Sequence, residues 1–283
     1  MAYSINFILI LTKAQDKKAL ILGQRIQKWL KGVNIESTIK DNQVDAGQMI
    51  LSSPLPDLIL VLGGDGTMLS VARQLGEYEI PFLGLNLGQV GFLTELSPDG
   101  WEKVFREILA KEFTLSPRII LDYKIVRENK LLEKGQVVND VVIGRGGTAR
   151  LVRLRLWYDQ EEIGSFRADG VIVSTPVGST AYAVAAGGVV ISPELEVMEI
   201  CPICPFRDEL KPMILPGRQT VSVLVEQSSS DVYLTMDGQT GTALYPGDVV
   251  KISEAEKKLL FIQPVRHNYI QKLRHKGYIK SGG

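Results

Sequence analysis

The chain has 283 residues, 45% of them hydrophobic and 23% charged, the composition of a soluble globular protein long enough for two modest cores. Its 32 lysines and arginines balance 32 aspartates and glutamates, which excludes a chain-wide basic surface for gripping nucleic acid. Only two cysteines occur, Cys201 and Cys204, so a disulfide framework is excluded and a reducing cytoplasm fits.

Ile5 to Leu11 reads as a first core strand, because no basic stretch precedes it and no small-residue cleavage site follows. A helical pattern from Lys17 to Leu30, a strand from Val33 to Ile39 and a polar helix or loop come next. Leu58 to Leu62 is a short aliphatic run that breaks into Gly63-Gly64-Asp65-Gly66-Thr67, the pattern of a buried strand ending in a tight turn. Three glycines allow positive φ and leave backbone N–H groups open to a phosphate. Thr67 is placed to cap a helix through Met68, Leu69, Val71 and Ala72, whose N-terminus favours anions. Asp65 would repel phosphate there unless it takes a proton from an attacking hydroxyl or holds a metal ion. The five residues alone read equally as an ordinary turn. Their position raises the functional reading, since open α/β sheets bind ligands beyond the carboxyl ends of their strands. A strand near Pro81 to Leu85 and an amphipathic segment from Trp101 to Ala110 complete the alternation expected of a parallel sheet with covering helices.

From Phe113 the pattern changes to alternation of period two, as in Leu151 to Trp157, with turns at Glu128-Asn129 and Asp159-Gln160. Val221 to Glu226, Val232 to Met236, Val249 to Ile252 and Leu259 to Ile262 continue it. The expected division is an α/β domain over residues 1–112 and a mainly β domain over 113–283, with the C-terminal tail packing back on the first. A ligand cleft is expected where the two meet.

Gly144-Arg145-Gly146-Gly147-Thr148-Ala149 satisfies a dinucleotide-binding pattern formally, but an alternating strand follows where a helix is needed, so it reads as a turn. No P-loop occurs. Cys201-Pro202-Ile203-Cys204 is hemmed by Pro202 and Pro205 and lacks further zinc ligands, since His267 and His275 are not spaced like a finger, so both thiols are expected to be buried and idle. Gly170 to Pro193 carries no charge over a length that could cross a bilayer. Pro176, Gly178, Gly187 and Gly188 break it, which suits a buried, ligand-facing segment. Asn139-Asp140, at the end of an apolar strand, pairs side chains suited to ribose hydroxyls and reads equally as a solvated strand end. Asp169-Gly170 reads as a ligand contact or a hairpin turn. Ser179 or Thr180 can cap a short helix, and Tyr182 offers an aromatic face to a base.

Taken in order, Gly63 to Thr67, Gly91-Phe92-Leu93-Thr94-Glu95, Asn139-Asp140, Asp169 to Tyr182 and Asp237-Gly238-Gln239 resemble the NAD kinase family across most of the chain. The resemblance implies the two-domain fold of that family and a kinase that moves the terminal phosphoryl of ATP, or of inorganic polyphosphate, to the 2′-hydroxyl of the adenosine ribose of NAD. It implies Asp65 as general base, with Gly63, Gly64, Gly66 and Thr67 at the donor phosphates and Asn139 and Asp140 at ribose hydroxyls. Thr180, Ala181, Tyr182 and Ala185 would surround the adenine and nicotinamide ends, and Arg150, Arg167, Asp169 and Gln239 match further ligand contacts. Mg²⁺ or another divalent cation would arrive with the donor, held mostly by phosphate oxygens and water, with no residue singled out as a metal ligand. The same resemblance implies NAD and ATP as partners, neither nucleic acid nor membrane, and a cytoplasmic homo-oligomer, dimer or tetramer.

The chain departs from the family pattern at Val177, where threonine is frequent, at Phe206, where histidine is common, and at Ala183 and Ala185, where asparagine or serine often stands. Two other readings share the glycine-aspartate turn. A lipid kinase is disfavoured by Asn139-Asp140 and Thr180-Ala181-Tyr182, and a nucleotide sensor without catalysis by the intact Asp65. Asp65 is expected to face Asn139, Asp140 and Tyr182 across an interdomain cleft.

Overall fold

A computed structural model describes residues 4–42, 49–88, 91–94, 96–147, 150–208, 210–227, 231–264 and 269–279. The chain forms two compact units, Met1–Pro117 with Leu259–Gly283, and Arg118–Lys258. The first begins with β1 (Phe7–Lys13), α1 (Lys17–Gly32), β2 (Glu36–Asn42), β3 (Leu58–Leu62), α2 (Asp65–Leu75), β4 (Phe82–Leu85), α3 (Trp101–Leu109) and β5 (Phe113–Arg118). The second holds β6 (Leu121–Arg127), β7 (Lys130–Val137), β8 (Asp140–Arg145), β9 (Val152–Tyr158), β10 (Glu161–Ala168), β11 (Gly170–Ser174), α4 (Tyr182–Ala185) and β12 (Val197–Ile203). It continues through β13 (Met213–Pro216), β14 (Val221–Gln227), β15 (Val232–Met236), β16 (Thr240–Leu244) and β17 (Val249–Glu254). The chain then returns to the first unit with β18 (Leu259–Pro264) and α5 (Tyr269–His275).

In the first unit the sheet order is β2-β1-β3-β4-β18-β5. β1 pairs in parallel with β2 and β3, and β4 in parallel with β3 and β18. All five residues of β3 are fully buried, as a continuous aliphatic run covered on both faces must be. The chain moves outward from β1 to β2 and restarts at β3 in the other direction, which puts the topological switch point between β1 and β3. The Gly63–Thr67 turn leaves the carboxyl end of β3, beside that point. Asp16 caps α1 by accepting hydrogen bonds from the amides of Lys18 and Ala19. The second strand starts at Glu36 rather than Val33, because Val33 closes α1 and Asn34 turns the chain with a left-handed φ of 61°. Ile8, Ile10, Ile26, Leu58, Leu60 and Phe105 lie in the core, where Trp29, Trp101 and Phe105 meet edge to face.

The second unit is a β-sandwich of two six-stranded sheets, β10-β9-β14-β17-β6-β7 and β13-β12-β11-β8-β15-β16. In β9, Val152, Leu154 and Leu156 are buried while Arg153 is exposed, the alternation of a strand with one face on a core. Residues of both sheets build a single apolar core. Leu259 to Ile262, read from sequence with these strands, instead joins the parallel sheet, where Phe261 pairs with Phe82. Its unbroken apolar run suits a strand covered on both faces better than a half-exposed one. The expectation of two buried thiols is corrected: Cys201 is buried in β12, whereas Cys204 is exposed in the following turn, at a φ of 46°. Among the described residues, no helix is long and apolar enough to cross a membrane.

Candidate active site

In the first unit Gly63 serves close approach of a side chain rather than unusual backbone torsion. Gly63, Gly64 and Gly66 are not among the glycines with positive φ, so the torsional freedom that glycine allows is not used here. A Cβ on Gly63 would lie 2.5 Å from the Thr67 hydroxyl oxygen, so the glycine admits the threonine. Thr67 does not cap α2. Gly64 is the N-cap, with extended backbone and no side-chain cap, and Thr67 lies in the first turn with its amide on the Gly64 carbonyl at 3.0 Å. The amide of Gly63 donates to the Leu85 carbonyl at 3.0 Å, which ties the turn to β4.

Asp65 opens α2. Its carboxylate accepts hydrogen bonds from the amides of Phe92 at 2.7 Å, Leu93 at 3.0 Å and Thr94 at 3.0 Å, and from the Thr94 hydroxyl at 3.0 Å. A carboxylate in the first turn also complements the helix dipole. Glu95, the last residue of that sequence segment, lies outside the described residues.

In the second unit Asn139 lies between β7 and β8, and Asp140 opens β8, rather than the pair ending an apolar strand. The organiser is Asp237. Its carboxylate accepts the amides of Val138 at 3.1 Å, Asn139 at 2.7 Å and Asp140 at 3.3 Å. Asp237 and Gly238 reach that geometry through left-handed φ values of 50° and 64°. Asp140 is buried, and its carboxyl is pushed up to about 7, first by loss of solvent and then by the negative Asp237.

The sign of that shift gives a stability prediction. Between roughly pH 4 and 7 the folded chain keeps a proton on Asp140 that the unfolded chain has released, so folding stability declines as pH rises through this window and levels off above it. The size is at most about 4 kcal/mol. Asp140→Asn should remove this dependence, so its melting temperature relative to the parent should be higher at pH 8 than at pH 5. Equal differences at both values would refute the shift.

The segment between β11 and α4 packs on this turn. The Thr175 hydroxyl donates to the Val138 carbonyl at 2.7 Å and accepts the Gly178 amide at 3.0 Å. Neither Ser179 nor Thr180 caps α4, whose N-cap is Ala181. The buried Ser179 hydroxyl instead donates to the Pro176 carbonyl at 2.7 Å and accepts the Ile191 amide at 3.0 Å, and Thr180 donates back to Val177. Val177 is itself buried, and Tyr182 is 47% exposed, leaving ring surface in solvent. Sequence reasoning missed Glu199, fully buried under this segment, which accepts the Val189 amide at 2.7 Å. Burial pushes its carboxyl up.

Asp169 is no hairpin turn: it joins β10 of one sheet to β11 of the other. Arg145 grips it with two prongs, Nε to Oδ1 at 2.6 Å and an Nη to Oδ2 at 3.2 Å. Arg145 was hidden in the Gly144–Ala149 turn, of which Thr148 and Ala149 lie outside the described residues. The exposed Arg167 stacks its guanidinium 4.3 Å from the Phe206 ring centre, so the departure at 206 supplies a cation–π partner. Arg150, Ala181, Ala185 and Gln239 are exposed.

Two constellations result, one in each unit. The first is a carboxylate fixed beside a glycine turn at a helix start, an arrangement that can hold an anion and accept a proton. The second gathers Asn139, Asp140, Asp237 and the Thr175–Thr180 segment, with Asp169 on Arg145, and offers hydroxyl-binding polar groups on a rigid sandwich.

Residues 53–113 match the profile of the ATP-NAD kinase N-terminal domain, and residues 138–264 that of the ATP-NAD kinase C-terminal domain. The chain is similar to a protein named NAD kinase from Nitratidesulfovibrio vulgaris (Miyazaki F), 42% identical over 99% of each chain. It is also similar to one so named from Oleidesulfovibrio alaskensis, 40% identical over 99% of this chain and 96% of that one. Among solved structures, an NAD kinase from Archaeoglobus fulgidus in complex with ATP superposes with a TM-score of 0.73 at 27% identity, covering 95% of this chain and 98% of the other. The fold also matches yeast NADH kinase complexed with NADH, with a TM-score of 0.86 at 22% identity over 99% and 89% of the two chains. With both domain profiles matched in order and 42% identity along its length, the chain belongs to the NAD kinase family.

Proposed function

We propose that the chain transfers the terminal phosphoryl of ATP to the 2′-hydroxyl of the adenosine ribose of NAD, releasing ADP and NADP, with Asp65 as general base. The chain is an enzyme, a kinase acting on NAD. The observation that carries the residue assignment is the Asp65 carboxylate, held by four donors at the start of α2. As the ribose oxygen bonds to the terminal phosphorus, its proton passes to Asp65 and the bond from that phosphorus to the bridging oxygen breaks, leaving ADP.

Such a transfer proceeds through a loose transition state and asks the protein mainly for alignment and charge stabilisation. In this reading Gly63, Gly64, Gly66 and Thr67 receive the donor phosphates on the turn and the helix start. Asn139 and Asp140 take the ribose hydroxyls, held in place by Asp237. Thr180, Ala181, Tyr182 and Ala185 line the adenine and nicotinamide ends, and Arg150, Arg167, Asp169 and Gln239 complete the acceptor contacts.

Among the described residues, no group of three or more His, Cys, Asp or Glu could hold a metal ion. In this reading a divalent cation, Mg²⁺ or another, arrives with the donor, held mostly by phosphate oxygens and water. Free thiols suit a reducing compartment, and we place the enzyme in the cytoplasm as a homo-oligomer.

The test is NADP formation by the purified chain with NAD and Mg²⁺, with ATP and polyphosphate supplied side by side. NADP with ATP is the expected result, and no NADP with either donor overturns the proposal.

A further inference from the structure

We infer that Thr94 is a positioning residue for Asp65, and that the C-terminal helix holds the loop that carries it. The inference rests on Asp65 acting as the base. A carboxylate has two acceptor oxygens with about two lone-pair sites each. Oδ1 of Asp65 is saturated, since it takes the Leu93 amide, the Thr94 amide and the Thr94 hydroxyl, each at 3.0 Å. Among the described residues, Oδ2 takes only the Phe92 amide, at 2.7 Å. The carboxylate is thereby oriented, with Oδ1 the anchor and Oδ2 the oxygen that keeps room for a proton.

Thr94 fixes that orientation through a directed hydroxyl. The Asn86 side-chain amide donates to the Thr94 oxygen at 2.8 Å, and the Asn86 carbonyl oxygen accepts the Gly88 amide at 2.8 Å, which settles which way the amide points. With Asn86 donating to it, the threonine hydroxyl commits its single hydrogen to Asp65. Thr94 is fully buried, and Asn86 nearly so. Gly91 belongs to the same arrangement, because a Cβ there would lie 1.9 Å from Asp65 Oδ1.

The far side of the loop is held by the end of the chain. Lys272 on α5 donates to the Phe92 carbonyl at 2.5 Å, and its ammonium lies 5.7 Å from the Phe92 ring centre. Lys276 lies 5.8 Å from that ring, and Tyr278 meets it edge to face at 5.7 Å. Phe92 thus presents its amide to Oδ2 while its carbonyl and ring are gripped from α5 and the residues after it. Residues more than two hundred positions from Asp65 in sequence belong, at one remove, to the apparatus that aims it.

The test compares Thr94→Val, which removes the hydroxyl at nearly constant volume, with Thr94→Ser, which keeps it. Thr94→Val should lower kcat on the order of tenfold, with KM for NAD and for ATP little changed, because misplacing a reacting group costs rate rather than binding. Thr94→Ser should return kcat to within about threefold of the parent. Lys272→Met should show the same split, several-fold in kcat. Should the valine protein not fold, Thr94→Ala is expected to behave as described for valine. An unchanged kcat in a folded variant lacking the Thr94 hydroxyl overturns the inference, and so does a KM that rises in step with the fall in kcat. Parental kcat in Lys272→Met overturns the part assigned to α5. Asp65→Asn separates the two ideas: if it stays active the base reading fails, whereas if it is inactive while the Thr94 variants are fully active, only the positioning fails.

Discussion

Asp65→Asn should bind NAD as the parent does and turn over at least about a thousandfold more slowly, within the range that general bases contribute. The substitution keeps size and shape. The asparagine carbonyl can stand in for Oδ1 and accept the Leu93 and Thr94 amides and the Thr94 hydroxyl. Its NH₂ then occupies the Oδ2 position and faces the Phe92 amide, 2.7 Å away in the parent, donor against donor. The proton acceptor is gone and one loop contact is lost, which lowers stability by roughly 1 to 3 kcal/mol. Steady-state rates, a calorimetric NAD titration and a thermal melt separate the effects. The expected pattern is a collapse of kcat, an NAD dissociation constant within about threefold because the acceptor contacts are assigned to the second unit, and a modest fall in melting temperature. A variant retaining a tenth of the parental kcat would remove Asp65 from the role of base.

Gly178→Ala should destabilise the second unit and raise KM for NAD. The backbone at Gly178 has no left-handed torsion, so the cost is steric. A Cβ there would lie 2.1 Å from the Asn139 carbonyl oxygen, 2.5 Å from its carbon and 2.7 Å from the Ser174 hydroxyl. That carbonyl is held by the Thr175 amide at 2.8 Å, and the Asn139 amide by Asp237 at 2.7 Å, so the obstacle is backbone fixed from two sides. Relief requires separating the Asn139 turn from the segment leading to Thr180 and Tyr182, the two pieces assigned to the acceptor. Overpacking of this severity costs about 3 kcal/mol, the upper end of the usual range. The melting temperature should fall by roughly 6 to 12 °C, and KM for NAD should rise about tenfold with KM for ATP little altered. A parental melting temperature would show that the turn yields, and a parental KM would detach it from NAD.

Much of the fold was legible because its signals are local. The unbroken run of β3, the glycines after it and the alternation of β9 sit within windows of a few residues, where periodicity reports burial directly. The same locality produced the errors. Leu259 to Ile262 carries a strand signal that says nothing about which sheet receives it, and Cys204 stands three residues from a buried twin with no local sign that it turns outward. Asp169-Gly170 has the composition of a hairpin turn, yet the chain there crosses between sheets.

The sequence by itself determined the family, the α/β and β character of the two parts, and which carboxylate leaves the end of β3, because contiguous motifs and short-period patterns encode those features. Tertiary structure alone decided what holds the site residues. Asp65 is bound by amides 27 to 29 residues onward, Asn139 by a carboxylate 98 residues onward, and Phe92 by a lysine 180 residues onward. Hydrogen bonds over such separations depend on where sheet order and the returning chain place the backbone, and backbone N–H groups, which do most of this work, are the same at every position of a sequence.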